Sequence, residues 1–259
     1  MDKELKDAAN KIANKIYRKV RRSVSSDFHR FGKNMGLGAD GTVTKYIDKL
    51  AEDVAVNYLK KAKVDLNLLS EEAGIIDNGA EYTIVLDPVD GTRNAYRGIP
   101  FYSVSVAIGK NSLSDVEYGI VKNIPNGDVF TAEEGVGAFL NNKKLVVPDV
   151  PDKQILSSLS LGKNHGKIAI DLAKKEKVRS LGSASLEMCM VATGALDFYV
   201  VGSEYIRVFD IAASTLILRQ AGGFVKNIKG KELDMHFNLS DRSSVVAACS
   251  IDLVKKIIE

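Results

Sequence analysis

The chain has 259 residues, 45% hydrophobic and 27% charged, a composition that supports a substantial core and excludes a disordered or fibrous class. Lysine and arginine total 36 against 33 acids, and the basic residues are scattered apart from Lys19 to Arg22, so neither a nucleic-acid stripe nor a membrane-binding patch is expected. No apolar run reaches the roughly 18 residues of a membrane span, Met1-Asp2-Lys3-Glu4 lacks a signal-peptide core, and Cys189 and Cys249, sixty positions apart, fit neither a disulfide framework nor a zinc site, which predicts a reducing, cytoplasmic setting.

Taken in chain order, Leu5, Ala8, Ala9, Ile12, Ala13, Ile16 and Val20 recur at helical spacing and predict an amphipathic helix over 2–24. A turn-rich break at 36–41 follows. Ile47, Leu50, Ala51, Val54, Ala55 and Tyr58 then mark one face of a second helix with Asp48 in its first turn. Strand-type runs at 82–86, 102–108, 116–121 and 129–132, joined by short polar loops, predict an antiparallel sheet. Pro148 and Pro151 mark a boundary between 1–147, an α+β domain, and 148–259, where strands at 178–181, 198–201 and 245–248 alternate with helices at 186–193 and 211–220. The fold class is thus α+β with an α/β C-terminal half.

The strongest chemical signal is the apolar run Tyr82-Thr83-Ile84-Val85-Leu86 ending in Asp87-Pro88-Val89-Asp90-Gly91-Thr92. Two carboxylates three positions apart at a strand end suit a hard divalent cation, Mg²⁺ or Mn²⁺, and not zinc. Pro88 stiffens the turn and Gly91 lets backbone approach a ligand. Alone, the motif reads equally well as turn chemistry. A second acidic pair, Glu71-Glu72, and a third acid, Asp210, at the start of the 211–220 helix weigh against that reading, although Asp210 by itself would pass for a helix cap.

These three motifs, with Ala221-Gly222-Gly223 after the last, resemble the inositol monophosphatase superfamily of Mg²⁺-dependent phosphatases, which includes archaeal fructose-1,6-bisphosphatases, over nearly the whole chain. The resemblance implies a layered αβαβα sandwich, a homodimer, and two to three Mg²⁺ per site. Glu71, Asp87 and the Val89 carbonyl would hold a first ion, Asp87, Asp90 and Asp210 a second, and Glu71 with waters a third. Asp48, Thr92 and Glu71 are the implied catalytic residues. A metal-activated water would attack phosphorus directly while its proton leaves through the Thr92 hydroxyl to Asp48, with no covalent phosphoenzyme. Backbone N–H groups of Gly91 and Thr92, opening a short helix through Arg93 and Asn94, would cradle the phosphate.

The loop Gly182-Ser183-Ala184 resembles the family's polyol-lining loop, and 202–207 would form the facing wall, so a small phosphorylated sugar or polyol is the expected partner. Ser203 stands where inositol-selective members carry Glu, with Glu204 next to it. Arg207 is placed either to bind a second phosphate bidentately or to pair with Glu204 or Asp197. Leu37 replaces a usual Lys, and Gly38-Ala39-Asp40-Gly41-Thr42 looks like the archaeal branch, whose members often accept both fructose 1,6-bisphosphate and inositol monophosphates. Phe209 stands where many relatives have Trp. His29, His165 and His236 fit no metal or triad spacing. The competing expectations are a 3′-phosphoadenosine 5′-phosphate phosphatase on the same metal core, and a non-catalytic member of the fold.

Overall fold

A computed structural model describes residues 1–62, 64–148, 155–162 and 166–259, so Pro151 and His165 lie outside the described residues. Helix α1 (Lys3–Ser26) begins where the Asp2 carboxylate accepts the Glu4 N–H at 2.7 Å, and it buries Ala8, Ala9, Ile12, Ala13, Ile16 and Val20. The predicted break at 36–41 is instead the turn of a two-stranded hairpin, β1 (Asn34–Leu37) and β2 (Val43–Lys45), whose glycines mask any strand alternation in the sequence. It leads directly into α2 (Tyr46–Ala62), with Asp48 buried in the first turn.

The large sheet is built from β3 (Asn67–Ser70), β4 (Gly74–Ile76), β5 (Thr83–Asp90), then, after the short α3 (Thr92–Arg97), β6 (Ser103–Gly109), β7 (Tyr118–Asn123), β8 (Val129–Glu133), β9 (Gly137–Leu140) and β10 (Lys143–Leu145). Its strand order is β10-β9-β8-β7-β6-β5-β3-β4, antiparallel throughout except where β3 runs parallel to β5. That one departure from the expected antiparallel sheet arises because the chain between β4 and β5 crosses back to lay β5 beside β3. Strand β5 also runs past its expected end at Leu86, and the register against β6 shifts between Asp87 and Asp90, around Pro88.

The second sheet, order β12-β11-β13-β15-β14, combines β11 (Leu156–Leu159), β12 (Lys177–Arg179), β13 (Phe198–Ile206), β14 (Phe224–Lys226) and β15 (Ser243–Ala248). The helices of this half are α4 (Gly166–Lys175), α5 (Ala184–Thr193), α6 (Val208–Gln220) and α7 (Ile251–Ile258). Helices α1 and α2 pack on the large sheet, α5 and α6 touch both sheets, and α4 and α7 pack on the small one, giving a layered αβαβα sandwich.

The middle layer explains a peculiarity of its sequence. Residues Val208 to Leu218 of α6 are buried all round, so the helix has no polar face and little amphipathic signature. It comes close to the large sheet at Gly119 of β7, where a Cβ would stand 2.9 Å from the Ala213 carbonyl oxygen, closer than side chains tolerate. Helix α6 is thus clamped between sheets, and its N-terminus delivers Asp210 to a fixed point.

Candidate active site

Segments from both halves of the chain converge on one cleft of about 630 Å³: the β1–β2 turn, the start of α2, the turn after β3, the C-terminal end of β5 with α3, residues 160–162 after β11, the 180–187 run into α5, and the junction of β13 with α6. Glu71, Asp87, Val89, Asp90, Gly91, Thr92, Gly182, Ala184, Arg207, Asp210 and Asp48 all line it, and Ser183 lies immediately beneath, bonded to Asp90. Among the described residues, eight acids (Asp40, Asp48, Glu71, Glu72, Asp87, Asp90, Glu187, Asp210) face it against four cations (Lys45, Arg93, Arg207, Arg242). His29 and His236 are exposed and do not line it.

Asp90 is held by neutral donors. Its Oδ2 accepts from the Ser183 hydroxyl at 2.6 Å, the Ser185 N–H at 2.8 Å and the Ser185 hydroxyl at 2.5 Å, while Oδ1 accepts only the Ala184 N–H at 3.2 Å. The carboxylate thereby caps the first turn of α5 from another strand, and Oδ1 keeps a lone pair for a ligand. Gly91 makes this turn possible: its φ is +91°, and a Cβ there would come within 3.1 Å of the Gly182 and Phe101 carbonyls.

Thr92 opens α3, and its hydroxyl lies 2.9 Å from Asp48 Oδ1 and 3.0 Å from the Val89 carbonyl. One hydroxyl proton serves two acceptors, so Thr92 can donate to only one of them at a time. Burial pushes Asp48 up to about 7, against the opposing pull of the Thr92 hydroxyl and the Lys45 N–H. The pair can therefore change protonation state near neutrality.

Arg207, the residue before α6, forms an ion-pair cluster. Its Nη1 donates to Asp40 at 2.5 Å and to Glu71, Nη2 to Asp210 at 2.9 Å, and Nε to the other Asp210 oxygen at 3.1 Å. The expected pairing with Glu204 or Asp197 does not form. Glu204 instead accepts from Lys229 at 3.3 Å on the exposed surface, and Asp197 accepts the Leu156 N–H at 2.7 Å. Burial alone would lower the Arg207 pKa, but attraction to Asp210 and Glu71 prevails and raises it.

The acids themselves resist joint ionisation. Asp87 is held well above the usual carboxylate range by burial and by Glu71, Asp90 and Asp210, and among the described residues its only donor is the Val89 N–H at 3.0 Å. Burial also raises Glu71, to about 8, with Arg207 pulling it down and Asp210 pushing it up, and raises Asp90 to about 6. Among the described residues no three Asp, Glu, His or Cys side chains stand together at metal-binding distances; Arg207 occupies the space between Glu71 and Asp210. In chemistry, a buried, under-donated group of oxygen ligands fits a hard divalent cation, which would let them ionise together.

Three residues without a role in the sequence reading emerge. Asp40 ties the β1–β2 turn to Arg207. Glu52, on α2, accepts the Ser70 hydroxyl at 2.5 Å and the Ala73 N–H at 2.8 Å, bracing the turn that carries Glu71 and Glu72. Glu187 on α5, pushed up to about 7 by burial, accepts the Ser158 hydroxyl at 2.5 Å and the N–H groups of Leu181 and Gly182 at 3.0 and 3.2 Å, and so fixes the loop over α5. An acid in a glycine-rich turn was the only available signal for Asp40. Glu52 and Glu187 look like ordinary helix acids in the sequence.

This carboxylate cleft between two sheets defines a class, the metal-dependent phosphatases of the layered αβαβα fold, and comparison with known proteins gives the family. The inositol monophosphatase family profile matches residues 1–258. The chain is 38% identical to a fructose-1,6-bisphosphatase of Pyrococcus furiosus, over 94% of this chain and 97% of that one. It is 41% identical to a bifunctional NADP phosphatase/NAD kinase of Methanococcus maripaludis, over 85% of this chain but only 43% of that protein. A crystal structure described as an inositol monophosphatase-fructose 1,6 bisphosphatase superposes with a TM-score of 0.85 at 33% identity, covering 96% of this chain and 98% of that one. The chain belongs to the inositol monophosphatase family and is a phosphoric monoester hydrolase. No helix among the described residues is long and apolar enough to cross a membrane.

Proposed function

We propose that the chain is a Mg²⁺-dependent phosphatase that releases phosphate from both fructose 1,6-bisphosphate and inositol monophosphate. The observation that carries it is the Thr92–Asp48 hydrogen bond, 2.9 Å long, at the edge of a cleft lined by Glu71, Asp87, Asp90 and Asp210. Two relatives that carry both activities in their names, from Methanothermobacter thermautotrophicus and Methanocaldococcus jannaschii, are 37% and 34% identical over nearly the full chain.

Glu71, Asp87, the Val89 carbonyl, Asp90 through Oδ1, and Asp210 would hold two to three ions. Bound there, divalent cations would neutralise the phosphate oxygens and supply an acidified water. The chain's own residues do the rest. Gly91 and Thr92 line the cleft at the start of α3, where their N–H groups would orient the phosphate. Thr92 passes a proton to Asp48, whose raised pKa makes it a competent base near neutrality. Gly182, Ser183 and Ala184, held by Glu187 and Asp90, shape the side facing the leaving group.

A second reading has one specific support, the 41% identity to 43% of the length of a bifunctional NADP phosphatase/NAD kinase, which favours a nucleotide phosphate substrate. Phosphate release from fructose 1,6-bisphosphate, inositol 1-phosphate and NADP, side by side with and without Mg²⁺, separates the readings. Mg²⁺-dependent turnover of the first two is expected. Turnover of NADP alone would replace the sugar reading, and release without Mg²⁺ would end it.

A further inference from the structure

Among the described residues, Arg207 is the one cleft cation in contact with the proposed metal ligands. Its planar fork reaches acids from three separate segments: Asp40 in the β1–β2 turn at 2.5 Å, Glu71 after β3, and both oxygens of Asp210 in α6 at 2.9 and 3.1 Å. The Asp40 carboxylate is fully enclosed, and the guanidinium lies over the Phe209 ring, 4.6 Å from its centroid. Among the described residues, Lys45, Arg93 and Arg242 line the same cleft without an ion pair to these acids. The oxygens that Arg207 engages on Glu71 and Asp210 belong to the carboxylates a divalent ion would take.

From this geometry we infer that Arg207 is a resident counter-ion: it holds Glu71, Asp210 and Asp40 together in the metal-free protein and competes with the metal for them. The inference rests on the metal site proposed above. Three buried carboxylates without a cation repel one another and favour opening of the β1–β2 turn. A guanidinium with five donors in a fixed plane satisfies all three at once. An ion that binds Glu71 and Asp210 must first displace those donors, so the metal affinity measured is the intrinsic affinity reduced by the fraction of molecules in which Arg207 has let go. Displacement also frees the guanidinium within the cleft and loosens the tie to Asp40.

The test is the melting temperature of wild type, Arg207→Met and Arg207→Lys as a function of Mg²⁺ concentration, which yields both the metal-free stability and the Mg²⁺ affinity by linkage. Arg207→Met is expected to melt lower than wild type without Mg²⁺, to bind Mg²⁺ about tenfold more tightly, and to close most of the gap at saturation. Arg207→Lys keeps the charge and loses the fork, so it too is expected to bind Mg²⁺ several-fold more tightly. It supplies the comparison if the Met variant fails to fold without metal. A Lys variant with wild-type affinity would overturn the inference by reducing the effect to net charge. Equal melting shifts with and without Mg²⁺, at unchanged affinity, would overturn it by making Arg207 a plain structural strut. A wild type whose melting temperature ignores Mg²⁺ altogether would instead remove the metal site on which the inference stands.

Discussion

Asp90 and Asp210 are equally exposed, at 7% each, yet they are held in opposite ways. Asp90, at the end of β5, is surrounded by hydroxyls and N–H groups from the first turn of α5, all neutral and all fixed by the fold. Asp210, in the first turn of α6, owes its position to its own helix start, where it accepts the Arg207 N–H at 2.8 Å, and to a charge, the Arg207 guanidinium. One side of the cleft is a frame built regardless of ligand. The other is an electrostatic arrangement whose cation can be exchanged.

The two sides should respond differently when each charge is removed. Asp90→Asn turns an acceptor toward donors and leaves Ser183, Ser185 and the start of α5 partly unpaired, at a cost of about 3 kcal/mol, with activity down about a thousandfold or more. Asp210→Asn is expected to lose activity as severely but only about 1 kcal/mol of stability, since Arg207 retains Glu71 and Asp40. Urea unfolding of both variants decides this, and equal stability losses would erase the distinction between the two sides.

Next in size is the proton path. Thr92→Val keeps the shape but removes the hydroxyl between Asp48 and the Val89 carbonyl, and kcat should fall about a hundredfold or more while Thr92→Ser retains most of it. If Val and Ser variants behave alike, Thr92 acts only at the start of α3. The same path predicts a pH limb. Asp48 takes a proton only when ionised, and with its pKa pushed up to about 7 the active fraction falls as pH drops below that value. A kcat profile should therefore lose activity toward acid, and Asp48→Asn should be slow and flat across the same range.

The smallest effect expected is at Glu72, whose carboxylate accepts the Thr44 hydroxyl at the rim of the charged side, whereas Glu71 faces Arg207 within it. Glu72→Gln should cost about tenfold or less in kcat/KM and Glu71→Gln at least tenfold more than that. Equal losses would mean that the two acids share one role.

Much of this was readable in the sequence because the framing elements carry strong local patterns. The α1 face, Asp48 in the first turn of α2, and the apolar run into Asp87 and Asp90 are all within a few residues of their own signals. What escaped depends on partners far along the chain. The partners of Arg207 include Asp40, 167 positions away, and no local spacing encodes that contact. The hairpin β1–β2 was hidden by its glycines. Helices α4 and α7 also went unread, although α5, no longer than α4, was anticipated at 186–193. Strand β13 runs five residues beyond its expected end at Val201, since Gly202 and Ser203 carry little strand propensity and the register against β15 shifts there. Glu187 was overlooked because burial, not sequence, distinguishes it from a surface acid.

The acids at Glu71, Asp87, Asp90 and Asp210 are proposed to work as a cation-dependent phosphatase centre. The most direct test is phosphate release from fructose 1,6-bisphosphate as Mg²⁺ is titrated into wild type and Asp87→Asn. Wild type should show no turnover without Mg²⁺ and a saturable rise with it, and Asp87→Asn should stay inactive at every concentration while remaining folded. Turnover without divalent ions, or an Asp87→Asn variant that responds to Mg²⁺ as wild type does, would contradict the claim.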